Sequence, residues 1–363
     1  MNNYNFNQRK IKKNKKNKIL KFDDDPSKLF NKNICIVGPS GSGKSTIARY
    51  ILSQLRDIPH IFLFCAGQTN ITDYGRIIDK ECIYSDDEIT SGLIKTFLDH
   101  LSELAGTQMK KLEFIYNTID RYFFNNPSLT LKYNFNRNDF FQMFNEFKKK
   151  GFYKYVNPKY SDYIKIMFNF IKNKIKNGSL NSDYLTIFAD HRKILIFDDV
   201  MNEVWFTALK GKPLTNLLVR GRHSYCTSIY IIQSYKALGP VARGNYQYIF
   251  FLGSISLFDN FYELVKDIDP MENKKDFKKK LFSLFKNITS IKDDGSRGSL
   301  VVSSDKTSSS ITDVVNFFEV PKSAFDSPNY SFDRILFNKN FIFKLIFLEE
   351  RKNANKKKNK DFY

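Results

Sequence analysis

Eight consecutive residues, Gly38-Pro39-Ser40-Gly41-Ser42-Gly43-Lys44-Ser45, set glycines, a lysine and a hydroxyl at the offsets G-x-x-x-x-G-K-[ST]. Glycines let a backbone take conformations that a Cβ forbids and come close to a ligand. The N–H groups of such a loop, and of the helix it opens, can bind anionic oxygens. Lys44 can then reach the β- and γ-phosphates of a nucleoside triphosphate, and the Ser45 hydroxyl can ligate Mg²⁺. Thr46 caps or packs the start of the helix. The bland alternative is a glycine-rich turn that matches by chance. A preceding apolar run and a following helical pattern argue against it.

A phosphate loop by itself implies binding, not hydrolysis. A second element supplies acid: Lys193-Ile194-Leu195-Ile196-Phe197-Asp198-Asp199 is an apolar run ending in paired carboxylates. At a strand end facing the loop, Asp198 can join the Mg²⁺ shell, and Asp199 can orient or deprotonate an attacking water. Glu203 is a substitute for Asp199 in that role. Alone, the same pattern is also ordinary strand-to-loop solubility.

Farther on, Arg220-Gly221-Arg222-His223 precedes the run Thr227 to Gln233. A polar amide at a strand tip beside a γ-phosphate can sense it and hold the lytic water. Arg220 or Arg222 can act across a subunit boundary on transition-state charge. Competing readings are a satisfied strand-end amide for Gln233 and surface ion pairs for the arginines.

The elements that must position these groups follow an α/β rhythm. Ile34–Val37 reads as a buried strand, with Ile47, Ile51 and Leu55 at helical spacing after the loop. Ile58–Ala66 and Cys82–Tyr84 read as further strands, and Asp86-Asp87-Glu88 as a helix start. Lys193–Asp199, Thr227–Gln233 and Tyr246–Gly253 continue the series, which predicts a mainly parallel sheet covered on both faces. Residues 91–190 interrupt it as a helical insertion. There Asn138 and Asp139 are expected to cap a helix bearing Phe140, Phe141, Phe144 and Phe147. Ser161 is expected to cap another, with Ile164, Phe168, Ile171 and Ile175 on one stripe, stopped near Gly178. These aromatics are expected to pack the insertion against the sheet; a base-stacking platform is the sharper alternative. Helices near 258–268 and 274–285 and a hairpin of Ser299–Ser303 with Val314–Val320 close the pattern.

The chain has 363 residues, 42% of them hydrophobic, enough for one large or two ordinary domains. Its formal charge of +20 favours polyanionic partners, nucleic acid or anionic membrane, although AT-rich coding also enriches Lys and Asn. Residues 1–21 carry eight Lys or Arg and no acid, a disordered arm that holds DNA, serves as a nuclear address or merely solubilises. Lys148-Lys149-Lys150 and the basic tail after 350 read as solvated faces or DNA contacts. Cys35, Cys65, Cys82 and Cys226 show no paired spacing and read as reduced and buried. His60, His100, His191 and His223 have no metal-ligand spacing. No run approaches the roughly 18 apolar residues of a membrane span, and no signal peptide is evident. A soluble, intracellular protein is expected.

Taken in order, GPSGSGKS, ILIFDDV, RGRHSYCTSIYIIQSY and GPVARGNYQYIFF resemble the viral genome-packaging ATPases of the FtsK–HerA superfamily. The likeness is to the poxvirus-type branch of large DNA viruses and virophages. Its residues here are Arg222-His223, Gln233, Pro240, Arg243 and Asn245, and it covers about residues 30–255. The resemblance implies an α/β P-loop NTPase of ASCE type, with the sensor strand between the loop strand and the acid strand. It implies ATP and Mg²⁺ as cofactors and a homo-oligomeric ring of five or six subunits. It also implies double-stranded DNA gripped by its backbone, and work in the host cytoplasm or a viral factory, with capsid portal or vertex proteins as further partners. Lys236, Arg243 and Lys148–Lys150 are candidate DNA contacts. Many members of the superfamily carry Asp-Glu where this chain has Asp198-Asp199. The expected organisation is a basic arm (1–22), an ATPase domain (23–270) containing the insertion, a helical and hairpin extension (271–350) and a basic tail (351–363). Alternatives are a cellular or mobile-element DNA pump or helicase of the same superfamily, and a small-molecule kinase. A GTPase lacks a guanine-reading N-K-x-D in a suitable place.

Overall fold

Ile34, Cys35, Ile36 and Val37 put apolar side chains on both faces of one segment, which suits a strand covered on both sides. In the computed structural model that segment is β1 (Asn33–Val37), and all five residues are buried. The structure describes residues 19–66, 74, 78, 82–85, 91–150, 157–188, 191–200, 212–237, 240–253, 255–268, 273–292, 298–304 and 310–321. The other strands are β2 (His60–Cys65), β3 (Ile83–Tyr84), β4 (Lys193–Asp198), β5 (Cys226–Ile232), β6 (Tyr248–Leu252), β7 (Ser299–Ser303) and β8 (Val315–Phe318). They form one sheet in the order β3-β2-β4-β5-β1-β6-β7-β8.

The strands from β3 to β6 pair in parallel, and β7 and β8 add antiparallel at the far edge. The fold is thus mixed α/β with a mainly parallel sheet. β2, β4 and β5 are buried along their whole length, as β1 is, so both faces of the centre are covered. The predicted hairpin exists, but it extends the main sheet itself, and Leu300, Val301, Val315 and Phe318 join the same core. The N-terminal boundary also moves. Phe22 N–H donates to Phe317 O at 2.8 Å and Phe317 N–H to Leu20 O at 3.0 Å. Residues 19–22 therefore run beside β8, with Ile19 and Phe22 buried, rather than belonging to the arm.

Helix α1 (Lys44–Gln54) follows the glycine loop and buries Ile47, Ala48 and Ile51. The insertion contributes α2 (Ser91–Phe124), α3 (Arg137–Lys150) and α4 (Ser161–Lys176). Its aromatics correct the expectation of packing on the sheet. Phe123, Phe135, Phe140, Phe144 and Phe147 form a second core with Ile115, Met167 and Ile171, separate from the sheet's own. Tyr116 stacks on Phe140 and Phe144 at 5.1 and 4.2 Å, so these rings bury one another rather than wait for bases.

Two caps also differ. Asn136, not Asn138 or Asp139, starts α3: its Oδ1 accepts from the N–H groups of both. Ser161 lies inside α4, because a tight turn at Pro158–Tyr160, capped by Asn157, feeds the helix directly. On α4, Met167 takes the buried place expected of Phe168, which is 41% exposed and meets Phe188 edge-on. Gly178 at φ 73 does end α4. Beyond β4 come α5 (Lys212–Arg220), α6 (Phe258–Val265) and α7 (Lys274–Thr289). The helix start expected at Asp86–Glu88, Glu203, residues 1–18 of the basic arm and the basic tail lie outside the described residues. All four cysteines are buried and free.

Candidate functional site

The phosphate loop leaves the C-terminal end of β1 and is rooted on its neighbours. Gly38 N–H donates to Ile232 O of β5 at 3.2 Å. A Cβ on Gly38 would lie 2.4 Å from Ser42 Oγ and 3.2 Å from the Leu252 carbonyl of β6, so only glycine fits there. Gly43, at φ 92, turns the chain into α1 and provides no side-chain cap. The first N–H groups of that helix are left for an anion.

Lys44 is 9% exposed, and its ammonium donates to the carbonyls of Gly38 and Pro39, both at 2.9 Å. Burial lowers its pKa, while the carboxylates of Asp199 and Asp198 act in the opposite sense. Lys44 therefore bridges the loop and the acid strand electrostatically. The Ser42 hydroxyl is buried with no partner in the protein. An orphaned donor, a backbone cradle that a Cβ would fill and a lysine folded over the loop fit a polyphosphate. Ser40 and Gly41 are exposed at the loop's tip, and Ser45 and Thr46 are half-buried at the start of α1.

Asp198 ends β4, 3% exposed, beside Cys65 of β2 and Ile231 of β5. Asp199 follows at φ 56 and is exposed; its N–H donates to Ile231 O at 3.1 Å. That turn aims its carboxylate across β5. Gln233 Nε2 lies 3.1 and 2.9 Å from the two carboxylate oxygens of Asp199. The order β4-β5-β1 thus places the Gln233 amide between the acid strand and the glycine loop.

Tyr74, between β2 and β3, was not singled out from the sequence, where its polar surroundings carry no periodic signal. It is fully buried, and its hydroxyl faces Asp198, Ser45 and Arg49. Ser45 and Asp198 therefore converge on one point. A hydroxyl and a carboxylate suit a hard, oxygen-bound cation that keeps waters and shares phosphate oxygens, which is how Mg²⁺ binds. Among the described residues, no three His, Cys, Asp or Glu side chains cluster as a metal site.

The arginines lie elsewhere. Arg220 ends α5, exposed, and Gly221–Ser224 leads into the start of β5. Leu218 O accepts from Asn33 Nδ2 at the first residue of β1, so this corner lies at the end of the sheet opposite the loop. Across β5 that is roughly 20 Å. The side chains of Arg222 and His223 lie outside the description. Arg243 rests over the Tyr235 ring, 6.0 Å from its centroid, in the segment that follows β5. Lys236 and Lys149 are exposed. Lys148, offered as a DNA contact, is engaged by Glu113 at 2.5 Å. A cleft of about 410 Å³ among Asp120, Phe124, Leu131 and Arg137 belongs to the insertion and contains none of the site residues.

No protein-family model and no curated protein matches the sequence. Among solved structures, ATPases 2 and 3 of EssC from Geobacillus thermodenitrificans are 14% identical, with a TM-score of 0.35, over 75% of this chain and 49% of their own. The cytoplasmic domain of EssC is 14% identical over 72% and 46%, with a TM-score of 0.37. Thermomonospora curvata EccC (ATPases 2 and 3), in complex with a signal sequence peptide, is 12% identical over 60% and 30%, with a TM-score of 0.30. The chain thus spans less than half the length of these proteins. No helix among the described residues is long and apolar enough to cross a membrane.

Proposed function

We propose that the chain is an ASCE-type P-loop ATPase that drives double-stranded DNA into a viral capsid. The hydrolytic half rests on one observation, the hydrogen bonds from Gln233 to the carboxylate of Asp199 on the neighbouring strand. A carboxylate held by an amide that can also sense the γ-phosphate is arranged for attack by water rather than by a bound acceptor.

In this reading the loop N–H groups and Lys44 bind the β- and γ-phosphates of ATP, and Ser45 and Asp198 hold Mg²⁺. Ser45 and Asp198 would hold that ion where, as a Lewis acid, it would offset the charge of the phosphate. Asp199 takes the proton of the attacking water as its oxygen bonds to the γ-phosphorus and the bond to ADP breaks. Gln233 fixes the direction from which Asp199 acts.

The DNA half is supported by the motif series and by the net charge of +20. Arg220 lies too far from its own chain's loop to touch the phosphates bound there. A ring of five or six copies, in which Arg220 or Arg222 reaches the next subunit's nucleotide, gives those arginines a role. Backbone-only DNA contact follows from sequence-blind transport.

The test is ATP hydrolysis with and without long duplex DNA, alongside the mass of the assembly. Stimulation by DNA together with a ring-sized mass supports the reading. Hydrolysis by a monomer indifferent to DNA would leave a simple NTPase, and a neighbouring capsid gene would separate packaging from a cellular pump.

A further inference from the structure

The Tyr74 hydroxyl is an unexplained polar group at the centre of the candidate site. The residue is fully buried. Asp198 and Ser45 are the polar groups nearest in effect to its hydroxyl, with the Arg49 charge also in reach. Both interact with it, yet neither closes a hydrogen bond of normal geometry. A phenylalanine would fill the same space without the desolvation that a buried, unpartnered hydroxyl costs. Its backbone is well held, since Ile78 N–H donates to the Tyr74 carbonyl at 2.8 Å.

Two further features point to a ligand at this place. In the glycine loop that leads to Ser45, the Ser42 hydroxyl is likewise buried without a partner. Ser45 is the second residue of the helix that follows Gly43 and has no side-chain cap. A phenol can accept one hydrogen bond while donating another. A water on a bound cation can only donate, because its lone pair is on the metal, and a carboxylate can only accept. A hydroxyl between the two is matched to both.

We propose that Tyr74 is a positioning residue of the Mg²⁺ site: its oxygen accepts from a metal-carried water while its O–H donates to the carboxylate of Asp198. This rests on the nucleotide-site reading above. Outer groups of this kind orient the ligands themselves, and their removal typically lowers metal affinity about 10- to 100-fold.

The experiment compares wild type, Tyr74→Phe and Lys44→Ala as full chains. Melting temperature is measured without ligand. Binding of fluorescent ADP is measured in EDTA and across a Mg²⁺ titration, with Mn²⁺ binding followed by electron paramagnetic resonance. Tyr74→Phe should melt no lower than wild type and bind ADP equally in EDTA. Its half-saturating Mg²⁺ or Mn²⁺ concentration should rise roughly tenfold or more. An unchanged metal dependence overturns the proposal, and so does a lower melting temperature, which would make the hydroxyl structural. If wild type binds ADP no better than Lys44→Ala, the nucleotide-site reading itself falls.

Discussion

Gln233 Nε2 sits 3.1 and 2.9 Å from the two carboxylate oxygens of Asp199, joining the tips of adjacent strands. The contact exists because Asp199 abandons the extended conformation at φ 56. Aspartate tolerates that left-handed turn better than most residues. Its neighbour Asp198 stays in β4 and remains buried. One strand end thus yields two carboxylates in different environments, one buried in the sheet and one hydrogen-bonded to the Gln233 amide.

Removing that amide should separate binding from turnover. Gln233→Leu and Asp199→Asn are each expected to keep nucleotide affinity while lowering kcat by about 10²- to 10⁴-fold, the usual worth of a positioned base. Steady-state hydrolysis beside equilibrium nucleotide binding checks this. Wild-type turnover in Asp199→Asn would remove the carboxylate from the mechanism.

Gly38 and Gly41 should respond differently to the same substitution. Gly38→Ala drives a Cβ to 2.4 Å from Ser42 Oγ and 3.2 Å from a backbone carbonyl. It should cost about 1–3 kcal/mol of stability and distort the cradle. Gly41→Ala meets nothing within 4 Å and faces only its φ of 70, a strain of roughly 1–2 kcal/mol. Denaturant midpoints with nucleotide binding test the contrast: both should lose stability, but Gly38→Ala should lose more affinity.

An arginine acting in trans should be replaceable by a neighbour's. Arg222→Ala and Asp199→Asn subunits, each inactive alone, are expected to recover part of the hydrolysis when mixed. No recovery at any mixing ratio counts against a shared site built on Arg222.

The insertion should loosen on its own. Phe140 is fully buried in the second core, stacked on Tyr116 at 5.1 Å. Phe140→Ala should cost about 3–5 kcal/mol locally. Hydrogen exchange should then speed up in α2, α3 and α4 while β1, β4 and β5 stay protected. Equal loss of protection in both would show the two cores to be one cooperative unit.

His191 should make the protein acid-sensitive. Burial lowers its pKa from an ordinary 6.5 to about 4, and its Nε2 meets Thr186 O at 2.8 Å. The folded state holds it neutral, so this stability is intact above pH 6.5 and is lost as pH falls towards 4. The whole effect is roughly 3 kcal/mol. Denaturation midpoints against pH should flatten in that window in His191→Gln; an unchanged slope would assign the acid sensitivity to other groups.

Much of the site was legible in the chain because its constraints are local. A turn this tight needs glycine at 38, where a Cβ would collide, and favours it at 41 and 43, where φ is positive. Runs such as Ile34–Val37 and Ile194–Phe197, apolar on both faces, belong only in the middle of a covered sheet. Their sequence therefore determined the strands, the loop and the acids that end β4.

Tertiary structure decided the rest, since it depends on which residues meet across long stretches of chain. Asn136 rather than Asn138 caps α3 because the chain entering that helix presents its carboxamide there. The insertion's aromatics bury one another instead of the sheet because several helices offer them a closed core of their own. Arg220 lies at the opposite end of β5 from the loop because parallel strands carry their entry loops to the far side. Tyr74 left no sequence signal at all. Its hydroxyl acquires meaning only where packing brings it beside Ser45 and Asp198, two residues that no periodicity connects.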